Sequence, residues 1–152
     1  MKKIASFTVD HNKLDCGIYI SRRDNGIDTW DLRTVKPNTP PYMEQAAMHT
    51  VEHLGATIVR NSVYTDNIVY FGPMGCRTGF YLLTRDMTDA QVVDLVKDTF
   101  IKIAAWNDAI PGASLPEECG NYLEHDLEGA KNIASDYSDV IRSWTENDIF
   151  YS

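Results

Sequence analysis

The sequence of 152 residues has few cysteines, no long apolar run and no excess of positive charge. Its three cysteines, Cys16, Cys76 and Cys119, are widely spaced and form no CxxC pair, so a secreted disulfide framework is not indicated. Reduced thiols in a cytoplasmic protein are the simpler expectation. No apolar run approaches the roughly 18 residues that a membrane span needs, and no apolar segment follows Lys2 and Lys3 as in a signal peptide.

Acidic residues outnumber basic ones, and 14 Lys+Arg against 22 Asp+Glu give a formal net charge of −8. A nucleic-acid-binding module normally presents a basic face, and attachment to an anionic membrane needs basic clusters. We therefore expect neither a nucleic acid nor a membrane as partner. The length and the 43% hydrophobic composition fit a single domain over residues 1–152, which can bury a core without disulfides.

Hydrophobic patterning predicts an α+β fold, in which helices pack on one face of an antiparallel sheet. Five β-type runs predict strands, at residues 4–9, 16–21, 27–34, 68–71 and 79–83. Asn25-Gly26 predicts a hairpin turn between the second and third of these. Three helices are predicted, at about residues 41–61, 88–107 and 127–144, and Thr88 with Gln91 forms a capping box at the second.

The first predicted helix carries the pattern HTVEH at residues 49–53. His49 and His53 lie about one turn apart on the same helix face, so both imidazoles can bind one metal ion. This face lies opposite the centre of the helix's apolar stripe. Glu52 lies beside such an ion, in a position that suits a general acid or base better than a ligand. A solvated helix face without a metal is the alternative, and it stays open on these residues alone.

A catalytic zinc or ferrous site needs three protein ligands and one open position. Cys119 is a good candidate for the third ligand, because a thiolate binds soft and borderline divalent metals strongly, and His125 is a weaker one. Cys76 is a candidate acid, base or nucleophile, since Arg77 and a metal would favour its thiolate. A buried structural cysteine in a tight turn is the alternative. Cys16 falls in an apolar strand pattern and is expected in the core.

Three functions are compatible with these residues. The first is a metal-dependent enzyme with Glu52 and Cys76 as acid/base groups. The second is a structural metal-binding or interaction domain, closed by a fourth protein ligand such as His125. The third is peptide hydrolysis, because HxxEH is also the inverzincin metalloprotease signature, in which the glutamate activates a zinc-bound water. Such proteases usually occupy larger chains with a further carboxylate ligand.

Several motifs occur together in an order that resembles the S-ribosylhomocysteine lyase (LuxS) family, over nearly the whole chain. They are Ser6-Phe7, Asp10-His11, Asp31-Leu32-Arg33, Pro37-Asn38, residues 49–54, PMGCRTGFY at residues 73–81, Glu118-Cys119-Gly120-Asn121, His125 and LEGAK at residues 127–131. The block at residues 73–81 is the most specific of them.

The resemblance implies a reaction and a metal. The reaction is cleavage of S-ribosyl-L-homocysteine to L-homocysteine and 4,5-dihydroxy-2,3-pentanedione, the precursor of the quorum-sensing signal autoinducer-2, by internal carbonyl migration and β-elimination. The implied metal is one divalent ion per subunit, natively Fe(II), which zinc or cobalt can replace. Its implied ligands are His49, His53 and Cys119, with water in the fourth position.

The resemblance also implies how the remaining residues are used. Cys76 and Glu52 would be the acid/base groups on the two faces of the sugar chain. The protein would be a homodimer with its active sites at the subunit interface. There Ser6, His11 and Arg33 would bind the small-molecule substrate, reaching across from the partner subunit.

The chain departs from the family pattern at three places. Tyr70 stands six residues before Cys76, where the family usually has an aspartate. Residues 34–36 read Thr-Val-Lys instead of the more usual aromatic-Cys-Gln, and Asp126 stands where a serine is common. The carboxylate expected beside the sugar is therefore missing, and Tyr70 is the candidate to hydrogen-bond in its place.

Overall fold

The fold is a four-stranded antiparallel sheet with three helices on one face. The computed structural model describes all 152 residues. The strands lie side by side in the order β1-β2-β4-β3 and are β1 (Gly17–Asp24), β2 (Ile27–Arg33), β3 (Ile68–Pro73) and β4 (Gly79–Thr84). The helices are α1 (Gln45–Arg60), α2 (Asp89–Ala104) and α3 (Leu127–Ile141). The predicted α+β class is confirmed.

Local signals explain where several elements begin and end. Asn25 and Gly26 have φ angles of 57° and 74°, the left-handed pair that a tight hairpin turn between β1 and β2 requires. Thr88 and Gln91 form the predicted capping box at the start of α2. Asp126 accepts a hydrogen bond from the Gly129 N–H at 3.0 Å and so caps α3. Serine is also a favoured N-cap residue. Asp126 can therefore replace the serine of the family pattern and still cap α3.

The core lies between the sheet and the helices. Trp30 and Leu32 of β2 pair with Leu82 and Phe80 of β4, and all four side chains are buried on the helix side of the sheet. Leu54 of α1 belongs to the same cluster, together with apolar residues of α2 and α3. Alternation along each strand sends the remaining side chains to the opposite face, so the sheet has one apolar and one more polar face.

The polar face of the sheet carries a buried ion pair. Arg33 donates to both carboxylate oxygens of Asp31, at 3.0 and 2.7 Å, and both residues belong to β2. The Tyr151 hydroxyl also donates to Asp31, at 2.7 Å. Burial, together with the adjacent Asp31 carboxylate, raises the pKa of Tyr151 above the ordinary value for tyrosine. The penultimate residue of the chain is therefore part of this network.

The chain beyond α3 covers the outer edge of β1. The Ile20 N–H donates to the Ile149 carbonyl at 2.8 Å, and the Trp144 indole N–H donates to the Ile18 carbonyl at 2.9 Å. The Trp144 ring lies so close to Gly17 that a Cβ there would stand 2.3 Å from it. An unpaired edge strand is prone to pair with other chains, and these contacts protect it.

The predicted strand at residues 4–9 is wrong. Residues Ala5–Phe7 form a short 3₁₀ helix, with Ile4 and Phe7 exposed by 56% and 69%. A β-pattern depends on packing against a neighbouring strand, and the free edge of β1 is already taken by the C-terminal segment. The other differences concern element ends. The helix α1 starts at Gln45 instead of near residue 41, α2 ends at Ala104 instead of near 107, and α3 ends at Ile141 instead of 144; the strand β1 extends to Asp24 instead of 21. No helix combines the length and apolarity needed to cross a membrane.

Candidate metal centre

Two histidines of α1 are oriented by carbonyl oxygens from a distant loop. His49 Nδ1 donates to the Glu124 carbonyl at 2.8 Å, and His53 Nδ1 donates to the Pro111 carbonyl at 2.7 Å. A carbonyl oxygen only accepts, so the neutral ring carries its proton on Nδ1 in both cases. Each Nε2 therefore presents a lone pair, which is the arrangement of metal-binding histidines with a second-shell carbonyl.

The connection between α2 and α3 brings a thiol to these rings. Cys119 Sγ lies 3.4 Å from His49 Nε2, and the Asn121 N–H points to the same sulfur at 3.5 Å. In a tetrahedral site with ordinary zinc–nitrogen and zinc–sulfur bonds, neighbouring nitrogen and sulfur ligands are about 3.5 Å apart. One donor atom from each of His49, His53, Cys119 and His125 lies within 4.8 Å of the others. The donor set fits a divalent metal ion.

His125 completes the cluster from the residue before the α3 cap. Its ring stacks on that of His49, with centroids 4.0 Å apart and an interplanar angle of 22°. Its Nδ1 lies 2.9 Å from the hydroxyl of the buried Thr50, while its Nε2 is buried without a hydrogen-bond partner. Burial, with repulsion from His49 and His53, lowers the pKa of His125 to about 4. The ring is neutral near pH 7.

Gly112 allows the loop to pass close to His53. Its φ is +71°, and a Cβ at this position would stand 3.1 Å from His53 Nδ1. Glycine adopts this left-handed conformation without steric cost, so the preceding Pro111 carbonyl can reach the ring. The sequence interpretation did not single out this pair, although Pro-Gly is a recognisable turn signal.

An open cavity of about 490 Å³ lies beside the histidine cluster. Glu52 and His53 line it from α1, Tyr70 and Phe71 from β3, and Glu118 from the loop that carries Cys119. Arg60, at the end of α1, adds the one basic side chain of its wall. Cavities that bind small molecules usually measure about 300–1,000 Å³, so this one can hold a substrate of that size. Arg60 was not among the residues predicted from the sequence.

Cys76 lies elsewhere, in the exposed turn between β3 and β4. Its sulfur is 3.0 Å from the Thr78 hydroxyl and 3.9 Å from Arg33 Nη1. Arg33 also donates to the Thr78 hydroxyl at 2.8 Å. Arg77, the cation expected beside Cys76, has a φ of 62° and donates to the Met43 carbonyl at 3.3 Å. The guanidinium that faces the thiol is thus the buried Arg33.

Ser6, His11 and Arg33 line one small cavity on the polar face of the sheet, together with Tyr81 and Tyr151. The cavity beside the metal cluster has none of these three residues in its wall. The structure therefore brings the predicted residues together in two groups. One contains His49, His53, Cys119 and Glu52, and the other contains Cys76 with Ser6, His11 and Arg33. Cys16 belongs to neither group. The prediction that it lies in the core is wrong, because it is only half-buried and precedes β1, which begins at Gly17.

Comparisons with known proteins point to one family over nearly the whole chain. The model of the family described as S-Ribosylhomocysteinase (LuxS) matches residues 4–148. The S-ribosylhomocysteine lyase of Borreliella burgdorferi (strain ZS7) is 50% identical, with 99% of both chains covered. Proteins of the same name from Desulfotalea psychrophila and Phocaeicola vulgatus are 46% and 44% identical, over 99% of this chain and 99% and 98% of theirs.

Proposed function

The chain belongs to the S-ribosylhomocysteinase (LuxS) family, and from this membership we propose its reaction, its site residues and its assembly. It is a carbon–sulfur lyase that cleaves S-ribosyl-L-homocysteine to L-homocysteine and 4,5-dihydroxy-2,3-pentanedione. Residues 1–152 form its one catalytic domain. The observation that carries the proposal is the convergence of two Nδ1-protonated histidines and a thiol on one point, beside a cavity of substrate size. Three free cysteines support a cytoplasmic location.

One divalent metal ion per subunit is held by His49 and His53 through Nε2 and by Cys119 through Sγ. Fe(II) is the proposed native ion, and Zn(II) or Co(II) can replace it, since this ligand set accepts several metals. When bound, the ion supplies Lewis-acid chemistry, polarising a carbonyl or hydroxyl oxygen of the opened ribose. The Pro111 and Glu124 carbonyls hold the two rings in the tautomer that ligation requires.

Glu52 and Cys76 move the protons. Two successive shifts carry the ribose carbonyl from C1 to C3, and each takes a proton from a carbon and returns one to its neighbour. One carbon is oxidised as the next is reduced, so no external oxidant is consumed. Removal of a proton from C4 by Glu52 then breaks the C5–S bond and releases homocysteine. Arg33 and Thr78 hold the Cys76 sulfur in place.

We propose a homodimer with active sites at the subunit interface. Ser6, His11 and Arg33 line a different cavity from the metal cluster, and a second copy can bring the two cavities together. Since Arg33 lies 3.9 Å from Cys76 in the same chain, the copy that supplies Arg33 also supplies Cys76. The exposed side chains of Phe7 and Tyr70 offer apolar surface for this contact.

Two other functions are not favoured. An HxxEH metallopeptidase and a non-catalytic metal-binding domain both fit HTVEH alone, but neither accounts for a family match over residues 4–148. Tyr70 lines the cavity beside Glu52, which supports it as the residue that hydrogen-bonds to the substrate in place of the aspartate of the family pattern.

A thiol-release assay tests the proposed reaction. Protein loaded with Fe(II) without oxygen, or with Co(II), receives S-ribosylhomocysteine, and free homocysteine is titrated. We expect release by the wild type and its loss in Cys76→Ala and in Glu52→Gln. Cys16→Ser, which removes a thiol outside both groups, is the matched control and should retain activity. Absence of release by the metal-loaded wild type would contradict the function, and a monomer at micromolar concentration would contradict the shared site.

A further inference from the structure

Tyr70 is a residue that two cavities share. It lines the cavity of about 490 Å³ beside Glu52 and His53. It also lines a cavity of about 270 Å³ on the polar face of the sheet, where Ser6 forms part of the wall. The Tyr70 side chain is half exposed, so its hydroxyl is open to a bound molecule. This residue therefore lies between the metal cluster and one of the proposed substrate-binding residues.

The ring of Tyr70 lies over Gly72. Both residues belong to β3, and strand residues two positions apart face the same side of the sheet. A Cβ on Gly72 would stand only 2.5 Å from Cζ and 2.6 Å from Cε2 of the Tyr70 ring. The pairing of β3 with β4 shifts register between Ile68 and Tyr70, and such bulges re-aim side chains next to sites. The ring thus fills the space that any other residue at position 72 needs.

Space for the ring, and not backbone conformation, explains the glycine at position 72. Gly26 and Gly112 have positive φ angles, whereas Gly72 does not. It is a buried position inside a strand, where glycine weakens the strand and commonly marks a close approach by another group. The group that approaches here is the Tyr70 ring. The two residues therefore form one structural unit.

We propose that Gly72 is a positioning residue for Tyr70, which keeps the Tyr70 hydroxyl between the two cavities in hydrogen-bond contact with a hydroxyl of the ribosyl chain. This inference rests on the proposed function, in which Tyr70 takes the place of the aspartate of the family pattern. A carboxylate is short and only accepts hydrogen bonds, whereas the phenol is longer and both donates and accepts. The longer side chain needs the bare backbone of a glycine beneath it.

The structure separates this role from a role in folding. Because Tyr70 is half exposed, its ring can turn aside when Gly72→Ala adds a methyl group, so the midpoint of urea unfolding should not fall. Gly55 of α1 is the matched comparison. A Cβ there would stand 2.6 Å from Cζ of Phe71, whose side chain is only 5% exposed and has no room to move. Gly55→Ala should therefore lower the urea midpoint.

A crystal structure of Gly72→Ala tests the placement without substrate. It should show the Tyr70 ring turned away from β3, and a ring that still lies over residue 72 would overturn the inference. A urea midpoint for Gly72→Ala as low as that of Gly55→Ala would also overturn it, because the glycine would then be a requirement of packing.

The role in the reaction is tested with four Co(II)-loaded proteins: wild type, Tyr70→Phe, Gly72→Ala and the double variant. Tyr70→Phe keeps the ring and removes only the hydroxyl. Homocysteine release is measured against the concentration of S-ribosylhomocysteine. Each single change should raise KM about 3–10-fold, as for one lost hydrogen bond, with kcat within about 2-fold of wild type. The double variant lacks the hydroxyl already, so its KM should equal that of Tyr70→Phe.

Each other outcome is decisive. Effects on KM that multiply in the double variant would overturn the positioning role, because Gly72 would then act independently of the Tyr70 hydroxyl. An unchanged KM in either single variant would overturn the contact with substrate. A fall in kcat alone in Gly72→Ala would overturn the inference as well, since it would place the effect in the nearby turn that carries Cys76. No release by the wild type would instead overturn the proposed function, and the inference with it.

Discussion

The Asp31–Arg33 pair gives the sharpest prediction about stability. The two side chains are only 2% and 4% exposed, and the carboxylate accepts two hydrogen bonds from the guanidinium and a third from Tyr151. Asp31→Ala leaves the buried Arg33 charge facing only Thr78 and the Cys76 thiol. Removing one partner of a buried ion pair costs about 3–5 kcal/mol, because the remaining charge stays desolvated. We expect Asp31→Ala to lower the free energy of unfolding by this amount.

Urea unfolding at one fixed protein concentration, followed by tryptophan fluorescence and circular dichroism, measures this loss. Asp98→Ala is the matched control, because it breaks an ion pair of similar length, 2.8 Å to Lys102, whose side chains are 55% and 57% exposed. That change should cost no more than about 0.5 kcal/mol. The double variant Asp31→Leu/Arg33→Met should recover most of the loss, since apolar residues can replace a buried pair. A cost below about 1 kcal/mol for Asp31→Ala would refute the reasoning.

Three further predictions concern the metal, one loop and the response to pH. Removing the metal with a chelator should abolish homocysteine release and lower the melting temperature, and added Co(II) should restore both. A melting temperature insensitive to chelator would contradict a metal ion that joins α1 to the connection between α2 and α3. Gly112→Ala, with its strained φ and its Cβ near His53, should cost about 1–3 kcal/mol in urea unfolding and weaken Co(II) binding in a competition assay. Tyr151→Phe should lower stability at pH 7. The raised pKa of Tyr151 means that its contribution is complete below pH 10 and is lost as pH rises, because the unfolded state ionises first. The stability difference between Tyr151→Phe and wild type should therefore shrink above pH 10, and a constant difference would argue against the Asp31 contact.

Elements specified by local chemistry were predictable from the sequence. The Asn25-Gly26 turn needs two left-handed residues, and the Thr88 capping box satisfies helix N–H groups within one turn, so both signals are independent of the rest of the fold. The segment at residues 4–9 has a strand-like composition, but its conformation depends on whether a sheet edge is free. The partner that takes that edge, Ile149, is more than a hundred residues away in the sequence.

The site likewise combines features that local sequence signals predict with contacts that depend on the tertiary fold. His49 and His53 converge because helix geometry fixes a four-residue spacing, and this could be predicted from α1 alone. The carbonyls that orient them come from residues 75 and 58 positions away, and carbonyl groups have no sequence signature. Arg33 and Cys76 meet across 43 positions because β2 and β4 are neighbours in the sheet. Arg77 was expected to face the Cys76 thiol because it is the next residue in the sequence. Its backbone is instead left-handed, and its side chain donates to the Met43 carbonyl.

The contact between Tyr151 and Asp31 makes Tyr151 an unsuitable place for alteration. Substitution of Tyr151, or removal of the chain from residue 151 onward, would break the hydrogen bond that completes the Asp31 carboxylate. From there a chain of contacts leads through Arg33 to the Cys76 thiol. Protein prepared for kinetic work should therefore keep Tyr151 intact, and preparations that differ at this residue are not equivalent samples of the enzyme.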